Sequence, residues 1–356
     1  MGDVGQIERI TQNRVVKLLK NKLDYTYLGD LHDRENNKNI EDEYLIKFLA
    51  KKGYSKELIN KAITEFKKTA EDQSKNLYDL NKETYKLLRY GVNIKENVGE
   101  HKKTIYLIDW ENPLENDFYF AEEVTVKGRN TKRPDIVIYI NGIAVGIIEL
   151  KRSTVSINEG IRQNLDNQKP DFIERFFSTI QLTVAGNDTE GAKYGTIETK
   201  EKYYLTWKEE TNPENIGKIR ESNDKLYEEI QTLISDENIL LDKQLIGLFH
   251  KERLVEIIHE FIVYDRGIKK LCRPNQYFGI RLSRDFIRRK EGGIIWHTQG
   301  SGKSLSMVWC AKWIKENNPE ARILIITDRE ELDEQIEKVF LVWTKKYIEL
   351  KADKIY

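Results

Sequence analysis

The sequence predicts an α/β fold in two parts: a mixed sheet flanked by helices, then the start of a parallel-sheet unit. Three features carry this expectation. The first hundred residues are polar with helical apolar periodicity. From about residue 104, β-rich runs separated by turn signals follow one another: TIYLIDW, FYFAEEVTV, DIVIYI and IAVGIIEL. From about Leu271 the order changes, and GGIIWH, SLSMVWCAKWIKE and RILIITD read as strand, helix and strand, a βαβ unit. The 356 residues allow about two domains at roughly 100–200 residues each, and the boundary is placed at 260, dividing 1–260 from 261–356.

Taken in order, Glu41 to Lys51 sets Leu45, Phe48 and Leu49 on one helical stripe beside Ile40, and Lys56 to Ala70 repeats this with Leu58, Ile59, Ile63 and Phe66. Helical patterning returns near Gly160. TIQLTVAG and KYYLTW read as further strands, and Asn215 to Lys270 reads as helical. The 59 basic and 59 acidic side chains cancel, so a nucleic-acid site must be a local patch rather than a global field. Two cysteines, Cys272 and Cys310, with no CxxC pair exclude a disulfide framework and a zinc ribbon, and fit a reducing cytoplasm. The N-terminus lacks the apolar core of a signal peptide. No apolar run approaches the roughly 18 residues of a membrane span, so no membrane partner is expected.

Pro134-Asp135 opens one strand, Glu149-Leu150-Lys151 closes the next, and Asn141-Gly142 between them signals a hairpin. A two-residue turn would place Asp135 opposite Ile148 and send Glu149 to the other face. A three-residue loop with Gly142 left-handed would pair Tyr139 with Ile143 and Asp135 with Ile147, leaving Asp135, Glu149 and Lys151 on one face. If these residues form a site, the bulged three-residue loop is expected. Two carboxylates on one face are hard oxygen ligands suited to Mg²⁺, which can polarise a phosphodiester and activate water. Lys151 would orient or activate that water. Charges interrupting apolar strands cost free energy unless paired or bound to metal.

A second constellation lies between GGIIWH and the following helix: His297-Thr298-Gln299-Gly300-Ser301-Gly302-Lys303-Ser304. In such a phosphate loop the backbone of Thr298, Gly300, Ser301 and Gly302 cradles phosphates at a helix N-terminus. Lys303 reaches the β- and γ-phosphates of ATP, and the Ser304 hydroxyl ligates Mg²⁺. His297 stands where the general pattern begins with glycine.

PDIVIYINGIAVGIIELKRS resembles the PD-(D/E)xK nuclease motif as found in the motor (R) subunits of type I restriction enzymes. LIDW, FAEEVTV, INEGIRQNLDNQ, YGTIETKEKYYLTWKE and LFHKERLVEIIHEFIVYD resemble that family too. The resemblance implies Asp135 and Glu149 as metal ligands and Lys151 as the catalytic lysine. It implies a helper role for Gln163, although Asn167 stands where the family often has tyrosine. It also implies an upstream helical glutamate, for which Glu41, with Glu43 close by, is the candidate. WHTQGSGKSLSM resembles the family's nucleotide motif, including the histidine. ILIITDREELDEQI resembles the next helicase motif, with Thr327, Asp328 and Arg329 ending a strand. RPNQYFGI resembles an adenine-reading motif, with Gln276 as the reader. The implied fold is a PD-(D/E)xK nuclease-like mixed sheet followed by the start of a RecA-like superfamily 2 lobe.

The function implied is Mg²⁺-dependent cleavage of double-stranded DNA, coupled in the whole protein to ATP-driven translocation. The implied partners are modification and specificity subunits, with S-adenosylmethionine used by the complex. No DEAD-like acidic motif follows Lys303, so this chain is expected neither to hydrolyse ATP efficiently nor to translocate DNA, and with half of the first lobe's sheet absent it is expected to bind nucleotide weakly. Arg129, Lys132, Arg133, Arg152 and Arg162 cluster around the nuclease motif and are candidates for phosphate contact. The rival reading is a catalytically silent fragment that binds DNA or a partner.

Overall fold

The computed structural model describes residues 3–97, 99, 101–221 and 224–326. In chain order the first elements are α1 (Asp3–Lys17), β1 (Thr26–Asp30), α2 (Asp42–Lys51), α3 (Lys56–Ala70), α4 (Leu77–Tyr90), β2 (Val92–Ile94), β3 (Lys103–Ile105) and β4 (Phe118–Glu122). Next come β5 (Ile136–Ile140), β6 (Ile143–Leu150), α5 (Ile157–Asn167), β7 (Leu182–Asn187), β8 (Gly191–Gly195) and β9 (Leu205–Thr206). The last are α6 (Pro213–Glu221), α7 (Lys225–Ser235), α8 (Leu240–Phe249), α9 (Lys251–Glu260), β10 (Ile262–Asp265), β11 (Ile268–Leu271), α10 (Pro274–Arg288) and α11 (Lys303–Asn317).

The helical periodicity of the first hundred residues is realised. Leu45, Phe48 and Leu49 of α2 and Leu58, Ile59, Ile63 and Phe66 of α3 are buried. Ser55 caps α3 by accepting from Leu58 N, and Asn76 caps α4 by accepting from Asp79 N, satisfying amides that the helices themselves leave open. Helices flank a mixed seven-stranded sheet of order β1-β4-β5-β6-β7-β8-β9, with β1/β4 and β6/β7 parallel and the other pairs antiparallel. β5 and β6 are buried along their whole length, as central strands covered on both faces must be.

The β5–β6 connection differs from the expected three-residue loop. Ile140 pairs with Ile143, so Asn141-Gly142 is a two-residue turn, with both residues at positive φ (53° and 83°). This matches the twist of the strands it joins. An irregularity then intervenes. Tyr139 faces Ala144, but Ile138 faces Gly146, so β6 carries one extra residue at Val145. Burial confirms the slip: Ile143 and Val145 face the large core, and beyond the bulge Ile148 and Leu150 do so instead. The opposite face holds Val137, Tyr139, Ala144 and Ile147. One inserted residue reverses which face each later side chain meets.

Residues 262–270, expected to be helical, lie in the β10–β11 hairpin instead. Its turn is Arg266-Gly267, with φ of 48° and 80°, a conformation that ends a helix. Lys269 fastens this hairpin to the sheet end. Its buried ammonium donates to Asn81 Oδ1 (2.9 Å), Gln181 Oε1 (2.6 Å) and Ile180 O (3.2 Å), and burial pushes its pKa well below the usual lysine range. Core packing continues across residue 260, since one buried cluster joins Ile257 and Phe261 to Tyr277, Ile280 and Trp309.

The two apolar runs expected to form the parallel strands of the last section are not strands over their described residues. Residues 291–298 and 321–326 are irregular, and Ile294 (88%), Trp296 (90%), Leu324 (83%) and Ile326 (84%) are exposed. A parallel strand needs neighbours on both sides and helices over both faces, and none pairs with these runs among the described residues. α11 forms as expected and packs on α10. No described helix is long and apolar enough to cross a membrane.

The hairpin turn gives the first prediction. A Cβ at Gly142 would lie 2.6 Å from the carbonyl oxygen of Glu41, in a left-handed backbone conformation. Gly142→Ala should destabilise the fold by about 2–4 kcal/mol, read as a lower urea midpoint at unchanged slope.

Candidate active site

The bulge decides the site. One step beyond the Ile136–Ile148 pair, the register sets Asp135 opposite Glu149. Both therefore lie on the face of Val137 and Ile147, where α5 packs against β6 and β7. The one-face requirement drawn from the sequence is met by a different device: a two-residue turn plus a bulge inside β6, which brings Glu149 rather than Ile147 opposite Asp135.

Glu149 is fully buried. α5 starts at the Ser156 cap, which accepts from Asn158 N, and presents two amides to this carboxylate. Gln163 Nε2 donates to Glu149 Oε2 (2.7 Å), and Asn167 Nδ2 donates to Oε1 (3.2 Å). The asparagine thus works beside the glutamine, one helical turn on. Asp135 Oδ2 accepts from Leu150 N (2.6 Å). Lys151 follows immediately, its backbone N on Gly186 O and its ammonium near Leu150 O at 3.0 Å. Burial first, and then Asp135, raise the Glu149 carboxyl well above the ordinary carboxylate range, while Lys151 opposes the shift.

The open side is a cavity of about 320 Å³ lined by Arg9, Gln12, Glu123, Arg133, Asp135, Lys151 and Gln163. Three of these, Arg9, Gln12 and Glu123, were not singled out from the sequence. The i, i+3 spacing of Arg9 and Gln12 on a helix and the acidic pair in FAEEVTV are the only signals for them. Glu41 is not brought to the site. It caps α2 against the Asn141-Gly142 turn, at the opposite end of the hairpin, and is paired with Arg34 at 2.5 Å. The helix beside the cavity is α1, because β1 runs parallel to β4 towards the site end and residues 31–41 then return the chain to the turn end, where α2 begins. Of the basic residues clustered around the motif, Arg133 alone lines this cavity. Arg129 pairs with Asp171, Lys132 lies over the Phe172 ring, and Arg162 pairs with Glu159 and Glu201.

The donor set fits a hard divalent cation. Two facing carboxylates, one held at a raised pKa by burial and by the other, are the arrangement a cation relieves. Mg²⁺ commonly takes one or two carboxylates and completes its shell with water. No group of three or more His, Cys, Asp or Glu side chains suited to a metal occurs among the described residues.

The phosphate-loop residues lie elsewhere. Gly302 (φ 88°) opens α11, and Leu305 N and Ser306 N both bond its carbonyl. Gly300 is also left-handed (φ 75°). Lys303 Nζ lies on the carbonyls of His297 (3.2 Å) and Thr298 (3.1 Å), and Ser304 is half-buried in the first turn of α11. Ser301 Oγ is buried with no hydrogen-bond partner. His297 replaces the usual glycine where its ring packs on Gly279 of α10; a Cβ there would be 3.3 Å from it. Gln276 is buried and grips the loop: its Nε2 donates to Gly302 O (2.8 Å) and its Oε1 accepts from Arg273 N (2.8 Å). Its amide is thus engaged by backbone rather than turned to a base. Thr327, Asp328 and Arg329 lie outside the described residues.

Residues 6–202 match the family model described as type I restriction enzyme R protein N terminus, and the chain belongs to this family. Residues 275–354 match a model described as SWI2/SNF2 ATPase. A putative type I restriction enzyme endonuclease subunit (MjaIXP) of Methanocaldococcus jannaschii is 29% identical over 279 residues, covering 72% of this chain and 26% of that protein. The type I restriction enzyme HindI endonuclease subunit of Haemophilus influenzae is 28% identical over 284 residues, covering 73% of this chain and 25% of its own. The chain thus spans about a quarter of the length of these curated relatives.

Because Glu149 holds its proton more tightly when folded than when unfolded, metal-free stability falls as pH rises from the unfolded carboxyl value, about 4.3, through the raised folded one. A cation held by the two carboxylates would displace that proton. Stabilisation by Mg²⁺ or Mn²⁺ should therefore grow as pH rises, seen as a metal-induced Tm shift that is small at acid pH and larger at alkaline pH. Asp135→Asn keeps an acceptor for Leu150 N but removes the like charge. It should raise the metal-free melting point at neutral pH by about 2–4 °C and abolish the metal-induced shift.

Proposed function

We propose that this chain carries the DNA-cleaving centre of a type I restriction R subunit, of PD-(D/E)xK type, together with the nucleotide-binding loop of a RecA-like motor lobe. The observation that supports it most is the cross-strand placement of Asp135 against Glu149, with Lys151 two residues on at the cavity. Asp135 and Glu149 would hold Mg²⁺. The bound ion supplies Lewis-acid polarisation of the phosphodiester and lowers the pKa of a coordinated water.

The protein's own groups do the rest. Leu150 N–H fixes Asp135, and Gln163 and Asn167 fix Glu149, so neither carboxylate must reorganise. The Lys151 ammonium orients the attacking water and offsets the negative charge that develops on the phosphate. The substrate would be double-stranded DNA. The partners would be modification and specificity subunits, with S-adenosylmethionine entering through the complex.

Lys303, Ser304 and the loop from Thr298 to Gly302 would hold the phosphates and Mg²⁺ of ATP. Lys303 rests on two loop carbonyls and Gln276 clamps Gly302, so nucleotide must displace existing contacts and binds weakly.

The test is Mg²⁺-dependent nicking of supercoiled plasmid by the chain alone. Asp135→Ala should abolish nicking, and Lys151→Ala should reduce it by about 10²–10⁴-fold. A chain that binds DNA with divalent metal present yet never nicks it would favour the silent binding module. Lys303→Ala should leave nicking unchanged while weakening retention of a fluorescent ATP analogue.

A further inference from the structure

The register that makes the carboxylate pair also makes a second row. Extending both ladders of β5 by one step sets Glu123, Asp135 and Glu149 side by side across three neighbouring strands. Arg133 precedes Asp135 by two residues and Lys151 follows Glu149 by two, so the next rung on the same face brings two cations together. Arg133 and Lys151 both line the cavity, and Arg9 of α1 lines it as well.

Glu123 is not a third ligand in waiting. Its Oε1 accepts from Gln12 Nε2 (3.0 Å), and its Oε2 lies 2.6 Å from Arg133 Nε. Arg9 lies 3.6 Å from Glu123 and 3.2 Å from the buried Glu122, whose other oxygen takes the Tyr27 hydroxyl. Glu123 reaches this position through a left-handed backbone (φ 51°) that costs a non-glycine residue about 1–2 kcal/mol. Its N–H is tied to the Asp135 carbonyl at 2.9 Å. Strain held in place by a bond to a site residue is a mark of function.

The two arginines are held by carboxylates yet remain accessible at the cavity, their side chains 41% and 44% exposed. Arg133 is held through Nε by Glu123 and through Nη1 by the His32 ring. Arg9 is held through Nη1 by Glu122 and Glu123, with Nη2 3.7 Å from Asp30. Each guanidinium is thus fixed in place and turns the N–H groups that remain, Nη2 above all, to phosphate as a preorganised fork. A phosphodiester approaching a row of carboxylates also needs cations beside it.

We propose that Arg133 and Arg9 form a clamp for a backbone phosphate of the DNA strand being cut, adjacent to the reacting one, and that Glu123 and Gln12 are positioning residues that aim it. The proposal rests on the nuclease reading for the identity of the ligand. The clamp touches a phosphate that does not react, so it contributes equally to substrate and transition state and acts on KM rather than kcat.

The experiment uses the full chain and a fluorescein-labelled duplex, with anisotropy read in Ca²⁺ at several salt concentrations and plasmid nicking read in Mg²⁺. Arg133→Gln and Arg9→Gln should each weaken binding about 5–10-fold and lower the salt slope by about one. They should raise KM at nearly unchanged kcat. Arg133→Lys should recover the slope but only part of the affinity, because an ammonium cannot reproduce the fork. Glu123→Gln should weaken binding at an unchanged salt slope, since it removes no phosphate contact. Melting curves confirm that each variant is folded.

Wild-type affinity and slope in both arginine variants would overturn the clamp, as would a loss confined to kcat, or no binding of DNA by the wild-type chain. The nuclease reading is judged separately: nicking that survives Asp135→Asn would sink it, whatever the arginines do.

Discussion

A single extra residue in β6 is the constraint on which the site depends. Without the bulge at Val145, the tight Asn141-Gly142 turn would aim Glu149 into the large apolar core, away from the amides of α5. A buried, unpaired carboxylate is among the costliest groups a fold can hold. With the bulge, the same carboxylate turns to α5 and meets Gln163 and Asn167. The turn and the bulge are therefore one device. The turn satisfies strand twist and docks on α2 through Glu41, and the bulge corrects the register for chemistry at the far end.

The carboxylate pair is held in a state that favours occupation. Two α5 amides and one backbone N–H orient the oxygens, yet burial and mutual repulsion leave Glu149 with a raised pKa. These pressures oppose one another only while no cation is present. Stability is stored against function in the same atoms, a pattern expected where a protein preorganises charge.

The C-terminal section obeys a different logic. α10 is anchored by a dense ionic network: Arg281 on Asp224 and Glu256, and Arg284 on Glu256 and Glu260, with Tyr277 donating to Glu256 at 2.6 Å. Those two arginines, with Tyr277, hold the Glu256 carboxyl down near 2 against the upward push of its burial. Gln276 at the head of the same helix grips the phosphate loop. The loop is thus positioned from α10, while the apolar runs on either side of α11 remain exposed.

Local chemistry made much of this legible. Stripes such as Leu45-Phe48-Leu49 and the Asn-Gly turn are decided by neighbours in sequence, so these helices, the strands and the hairpin could be read directly. The PD and ExK residues and the GSGKS loop were legible for the same reason, since each is a short run whose spacing is its chemistry. Long-range packing decided the remainder. Whether Asp135 and Glu149 share a face depended on a bulge whose one local mark is Gly146, a glycine inside the strand run IAVGIIEL. Glu41 failed as the helical partner because its helix docks at the turn end, and Arg9, Gln12 and Glu123 gained meaning only when α1 was laid beside β4 and β5. Residues 262–270 and the two runs flanking α11 differ from expectation for the same physical reason: a segment becomes a strand only when another strand takes up its backbone hydrogen bonds, and that partner is supplied by tertiary structure.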